Sequence, residues 1–141
     1  MQLFCFFIGQ QEIGIPIDYV IETSCLESFT LLPNAPKYIL GLVNLRGDIV
    51  PIINLSKFFK LTWDNSISKI LFINKDSILF GIIISKLSKP VVVDKDDINE
   101  YPRNINQSIR EYFSGIVHVH GRNIQVLDLG KLINSIKNRD S

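Results

Sequence analysis

The sequence predicts an all-β protein of two similar small barrels packed together, with a groove where they meet. Two observations lead there: the chain writes one pattern twice, and its apolar runs are short, rich in β-branched residues and bounded by polar turns. GLVNLRGDIVPIINLSKFF (residues 41–59) and GIVHVHGRNIQVLDLGKLI (residues 115–133) align without a gap, so that Gly41 meets Gly115, Gly47 meets Gly121 and Leu55 meets Leu129. Upstream, LFCFFIGQQEIGIPIDYV (residues 3–20) aligns with ILFINKDSILFGIIISKL (residues 70–87), bringing Gly14 onto Gly81. The spacing between these two blocks is longer in the second copy, and YPRNINQS (residues 101–108) is the place for an insertion. The duplication divides a single domain, residues 1–141, into subdomains at approximately 3–60 and 70–133.

Each copy opens on two runs joined by a polar hairpin, FCFFI–GQQE–IGIPI in the first and KILFI–NKDS–ILFGIII in the second. Each closes on two more, LVNL–RGD–IVPIINL and IVHV–HGR–NIQVLDL, where Gly47 and Gly121 supply the positive φ of the turn. Apolar residues roughly alternate in IVHV and NIQVLDL, as in strands with one buried face, whereas IIIS and VVV suggest strands covered on both sides. SKFFKL and GKLINSIKN suggest short helical turns. Six or more such strands per copy do not suit one flat sheet, and closure into a barrel removes exposed edges. A unit of ~65–70 residues is marginal alone, which favours two packing on each other.

Composition narrows function mostly by exclusion. The 141 residues are 46% hydrophobic and 21% charged, an ordinary globular balance. A net charge of +1 offers no electrostatic footprint for nucleic acid or an anionic membrane. No apolar run reaches the ~18 residues of a membrane span, and the apolar start lacks a basic leader, so a soluble cytoplasmic protein is expected. Cys5 and Cys25 read as two reduced core thiols. There is no dinucleotide fingerprint, P-loop, nucleophile elbow or HExxH, so neither an enzyme nor a cofactor is expected. His118 and His120 would share a strand face, but with only Asp128 as a nearby carboxylate they read as solvated histidines, not a metal site. Asp94, Asp96 and Asp97 lack the glycine and spacing of a calcium loop and read as a solvated turn. An oligonucleotide-binding barrel would need a basic face with aromatic platforms, and Trp63 lies in a linker.

The exceptional residues are charges among apolar neighbours. Glu22 follows PIDYVI and Arg46 sits in VNLRGDIV; their counterparts in the second copy are Lys89 and His120. Polar variation at matched positions suggests shared architecture with different binding surfaces. Arg46 beside a turn glycine reads either as a solvent-exposed hairpin charge or as half of an ion pair at the groove edge.

The run PNAPKYILGLVNLRGDIVPIINLSKFF (residues 33–59) resembles the signature of CheW-like domains, the adaptor fold of bacterial chemotaxis. The likeness extends through FCFFIGQQEIGIPIDYVIE, LFGIII and YFSGIVHVHGRNIQVLDLGKLI, essentially the whole chain. The resemblance implies two five-stranded SH3-like β-barrels and a scaffold without catalysis or cofactor. It further implies two partners, the regulatory domain of a CheA-type histidine kinase and the cytoplasmic tip of a chemoreceptor (a methyl-accepting chemotaxis protein). The protein would then be cytoplasmic, recruited to membrane-associated receptor arrays. Carried over by motif, Val20, Glu22, Asn44 and Arg46 match positions near the receptor-binding surface, while Gly41, Gly47 and Gly121 match glycines kept for turns. The same architecture also serves motility or surface-sensing arrays outside chemotaxis. The chain departs from the family pattern at Pro16, Asn54 and Ser85, where aspartate is common. Because proline cannot donate to a ladder, Pro16 implies a sheet edge.

Overall fold

The computed structural model describes residues 1–25, 30, 32, 34–60, 69–101 and 107–139. In chain order these form β1 (Gln2–Ile8), β2 (Gln11–Pro16), β3 (Val20–Cys25), β4 (Ile39–Leu45), β5 (Asp48–Ile53), the helical turn α1 (Leu55–Phe58), β6 (Lys69–Lys75) and β7 (Ile78–Ile84). Then come β8 (Lys86–Leu87), β9 (Val91–Val92), β10 (Ile98–Asn99), α2 (Gln107–Arg110), β11 (Phe113–Val119), β12 (Arg122–Leu127) and the longer helix α3 (Leu129–Arg139). The linker holding Trp63 and most of the insertion lie outside the described residues.

The hairpins fall where the polar breaks placed them. Arg46 and Gly47 both take positive φ, at 53° and 93°, and His120 and Gly121 repeat this at 49° and 76°. Two consecutive left-handed residues make the type I′ connection, whose twist matches that of the flanking strands. Asp76 and Ser77 do the same between β6 and β7. Gly41 is a correction: it lies within β4, paired with Ile52 just after a register shift, and not in a turn. Gly115 follows the corresponding shift in β11.

Two sheets result, one of five strands in the order β3-β6-β7-β5-β4 and one of seven in the order β10-β11-β12-β2-β1-β8, with β9 also on β1. The run β11-β12-β2-β1-β8 repeats the five-stranded order, and three of the seven strands are only two residues long. The expectation of one copy per barrel is corrected. The opening hairpin of the first copy, β1-β2, pairs with the closing hairpin of the second, β11-β12; the reverse exchange builds the other sheet. The chain accordingly divides into residues 1–7, 11–18 and 87 onward, and residues 8–10 and 19–86. An unpaired hairpin is marginal in water, and each finds its missing neighbour in the other copy.

The exchange is sealed by two short parallel pairings, β5 on β7 with Ile52 opposite Gly81, and β12 on β2 with Val126 opposite Gly14. The duplicated glycines thus mark matched points on the two seams. A Cβ on Gly81 would come within 2.7 Å of Ile52 Cδ1 and 2.8 Å of Ile70 Cγ2, and both isoleucines are buried. Gly14 is less tight, with Ile124 Cγ2 at 3.0 Å. Around these seams lie Val50, Ile52, Ile70, Phe72 and Ile83 in one unit, and Leu3, Cys5, Val93, Val117, Ile124 and Val126 in the other. Fully burying each aliphatic or aromatic group contributes roughly 1.5–3 kcal/mol.

Several local expectations meet particular outcomes. Ile82, Ile83 and Ile84 are all buried, but in VVV only Val91 and Val93 are; Val92 is 78% exposed on the short edge strand β9. Cys5 is in the core, whereas Cys25, at the end of edge strand β3, is exposed. Pro16 does not mark an edge: β2 lies between β12 and β1, and Pro16 is its last residue, beyond the parallel pairing at Ile13 and Gly14. Asn54 caps α1, its Oδ1 accepting from Lys57 N at 3.2 Å and Ser56 Oγ at 2.7 Å. Ser85 Oγ accepts the Gly9 amide at 2.8 Å. Gly81→Ala is expected to destabilise the protein by about 1–3 kcal/mol, because the buried Ile52 and Ile70 side chains must shift to admit the added methyl. Urea denaturation of the variant beside the wild type measures this.

Candidate functional site

In the five-stranded unit, β3 and β4 stand at opposite ends of the sheet order. Glu22 projects from β3, and Arg46 is the first central residue of the turn after β4. Arg46 Nη2 donates to Glu22 Oε2, so the two ends of the sheet curl toward each other and meet at this ion pair. The Arg46 side chain is 72% exposed and that of Glu22 32%. Such a pair contributes only about 0–1 kcal/mol, since water and salt screen it. Asn44 has a separate job: its Oδ1 accepts the Gly47 amide at 2.9 Å and holds the turn that presents Arg46. Val20 pairs with Ile73 and is half-buried, and a bulge between Val20 and Glu22 leaves Ile21 exposed. Ile49, opposite Asn44 on β5, is 64% exposed. Of the four residues singled out by motif, then, Glu22 and Arg46 touch, Asn44 supports Arg46, and Val20 stands just before Glu22 on β3.

The other unit holds a charge network that the sequence reading missed. Arg122, the first residue of β12, donates through Nε and Nη2 to the Glu12 carboxylate on β2. Its Nη2 also reaches Ser88 Oγ at 3.0 Å and the Lys89 carbonyl at 2.7 Å, while Ser88 Oγ donates to Glu12. Glu12 is only 6% exposed. Its carboxylate, hydrogen-bonded to the guanidinium, raises the Arg122 pKa above its ordinary value. In sequence, Glu12 looked like part of the polar hairpin GQQE and Arg122 like a turn cation. No local spacing links residues 110 positions apart. Cys5 lies against this network, and its burial pushes the thiol up to about 11, against the opposing charge of Arg122.

The two histidines are not brought to one site. His118 Nδ1 hydrogen-bonds Asn123 Oδ1 across the β11–β12 pair, His120 occupies the turn, and Asp128 caps α3 by accepting the Lys131 amide at 3.1 Å. Among the described residues no cluster of three or more His, Cys, Asp or Glu side chains could hold a metal ion. Asp94 and Asp97 close their own turn, Asp97 Oδ2 accepting from Asp94 N at 2.8 Å.

The family model for the CheW-like domain matches residues 2–137. The chemotaxis protein CheW of Treponema pallidum (strain Nichols) is 33% identical over 140 residues, covering 95% of this chain and 82% of the relative. The chemotaxis protein CheW of Helicobacter pylori is 29% identical over 110 residues, covering 77% and 67%. Among solved structures, the scaffolding protein TtCheW of Thermoanaerobacter tengcongensis superposes with a TM-score of 0.78 at 24% identity, covering 91% of this chain and 84% of that one.

The two charge pairs differ in what their loss costs. Arg122→Ala leaves the Glu12 carboxylate buried without its cation and is expected to destabilise by about 3 kcal/mol. Arg46→Ala removes an exposed partner and is expected to change stability by less than about 1 kcal/mol. Paired urea melts measure both. A thiol-labelling assay at neutral pH is expected to modify Cys25 alone in the folded protein and both cysteines after denaturation, since a buried thiol with a raised pKa presents almost no thiolate.

Proposed function

The chain belongs to the CheW-like domain family, and on that premise we propose that it is a non-catalytic adaptor in chemotaxis signalling, coupling chemoreceptor tips to a CheA-type histidine kinase. The observation that carries this reading is the family match from residue 2 to residue 137, which takes in both sheets and the turn bearing Arg46. The names of the relatives favour chemotaxis over another sensory array.

Val20, Glu22 and Arg46 form the receptor-facing site, with Asn44 as the support that holds the Arg46 turn. An exposed pair suits this role physically. Glu22 and Arg46 hold each other weakly, so a partner carrying a carboxylate or a cation can displace one member at little cost. Ile21 and Ile49, both exposed, add apolar contact of the kind a helix surface seeks. The kinase regulatory domain engages a different surface. Single contacts can be weak in such an assembly, because clustering raises effective concentration. No helix among the described residues is long and apolar enough to cross a membrane.

Calorimetric titration against the isolated regulatory domain of the CheA-type kinase is expected to show saturable binding that Arg46→Glu leaves unchanged. The same substitution is expected to weaken binding to a receptor-tip fragment at least about tenfold, or about 1.4 kcal/mol. Absence of saturable kinase-domain binding at high micromolar concentration would overturn the adaptor reading. Equal receptor affinity in the variant would remove Arg46 from the receptor site.

A further inference from the structure

The internal duplication has a consequence for the seven-stranded unit. Its run β11-β12-β2-β1-β8 matches the five-stranded order, and its β11–β12 turn matches the turn that carries Arg46. By position, Lys89 stands for Glu22 and His120 for Arg46. Where the five-stranded unit pairs an acid with a base, this one presents two basic residues. They lie on a hollow of about 220 Å³ whose lining includes Lys89, Val92, Val119, His120 and Arg122. Among the described residues, none with a carboxylate lines it.

We propose that this hollow is a docking site for a segment of a partner protein that carries a carboxylate side chain beside an apolar residue. The carboxylate pairs with Lys89, so that the acid of the ion pair is supplied by the partner instead of by the chain itself. Three observations select this occupant. The charge of Arg122 is already matched by Glu12, but no ion pair reaches Lys89 among the described residues, so a positive charge stands unmatched on the rim. The backbone that carries the basic groups is held in place: Arg122 donates to the Lys89 carbonyl at 2.7 Å, and His120 occupies its turn at φ 49°. Preorganisation of this kind reduces the ordering cost of binding. Finally, Val92 is 78% exposed at the same hollow, which provides the apolar contact.

Size and edge chemistry exclude other modes. The volume is below the roughly 300–1,000 Å³ of small-molecule pockets, and it suits an inserted side chain better than a metabolite. β9 is two residues long and preceded by Lys89 and Pro90, which blocks extension of the sheet by an added strand. Recognition is therefore through side chains and not through a backbone ladder.

The test is an NMR titration of the ¹⁵N-labelled full chain with the capped tripeptide acetyl-Val-Glu-Val-amide, with acetyl-Val-Gln-Val-amide and sodium acetate in parallel. The Glu peptide is expected to bind with a Kd of about 1–10 mM, shifting the amides of Lys89, Val92, His120 and Arg122. Lys89→Glu, an exposed substitution that leaves the Lys89 carbonyl in place, is expected to weaken this at least about tenfold while the remaining spectrum is retained. The Gln peptide is expected to produce no saturable shift at these amides. No saturable binding of the Glu peptide, equal binding of the Gln peptide, or shifts that survive Lys89→Glu would overturn the proposal. Acetate saturating at the same concentration as the Glu peptide would also overturn it, reducing the hollow to a simple anion site.

Discussion

The structure depends on two short parallel seams, β5 against β7 and β12 against β2. Each joins a strand of one sequence copy to a strand of the other, so neither copy can complete a sheet from its own hairpins. The seams require close approach, which is why a glycine stands at the matched position in both, opposite Ile52 in one and Val126 in the other. The antiparallel hairpins are local and could form early, but only the seams turn four hairpins into two cores. Duplication here yields interdependent halves, unlike the beads of a repeat array.

Given that constraint, the ends of each sheet must be brought together, and the chain solves this twice with different chemistry. In the five-stranded unit the closing contact is Arg46 on Glu22, exposed and weak. In the seven-stranded unit the corresponding contact runs from the start of β12 to the segment after β8: Arg122 on the Lys89 carbonyl, backed by the buried Glu12. A buried pair resists loss of either partner by several kcal/mol, and an exposed one by about a tenth as much. The sturdy closure commits Arg122 and Glu12 to each other, whereas the weak one leaves both its charges available. In the seven-stranded unit the residues at the positions of Glu22 and Arg46, Lys89 and His120, are released from closure altogether. Shared architecture and divergent surfaces therefore arise from where each unit places its structural cation.

Much of this was legible in the sequence, and the limits follow from distance along the chain. The hairpins, the turn glycines and the terminal helix were readable because they are set by neighbouring residues. The equivalence of Arg46 with His120 was readable because the turn signals aligned without a gap. The exchange of hairpins was not, because two tandem copies suggest two tandem barrels and strand pairing leaves no mark on composition. Glu12 was hidden for a related reason: beside Gln10 and Gln11 it looks like hairpin polarity, and only the approach of Arg122 makes its burial tolerable. Val92 misled in the opposite direction, since a run of three valines suggests cover on both faces, while a two-residue edge strand can bury only one. Gly41 was assigned to a turn from the signature, but its place is beside a β-bulge, where the chain also favours small residues.

The hairpin exchange also sets an order for folding on the ribosome. The five-stranded sheet draws all its strands from residues 20 to 84, so it can close while the remainder of the chain is still being made. The other sheet begins with the first strand of the chain and is finished only by β12, whose Arg122 must find a glutamate 110 residues behind it. Its contact order is high, and such sheets close slowly. Of the described strands, β1 and β2 therefore emerge before their partners and wait longest, a hairpin of Phe, Ile and Leu without its neighbours. During that interval the growing chain carries an open sheet edge, the feature that chaperones shield and that aggregation exploits.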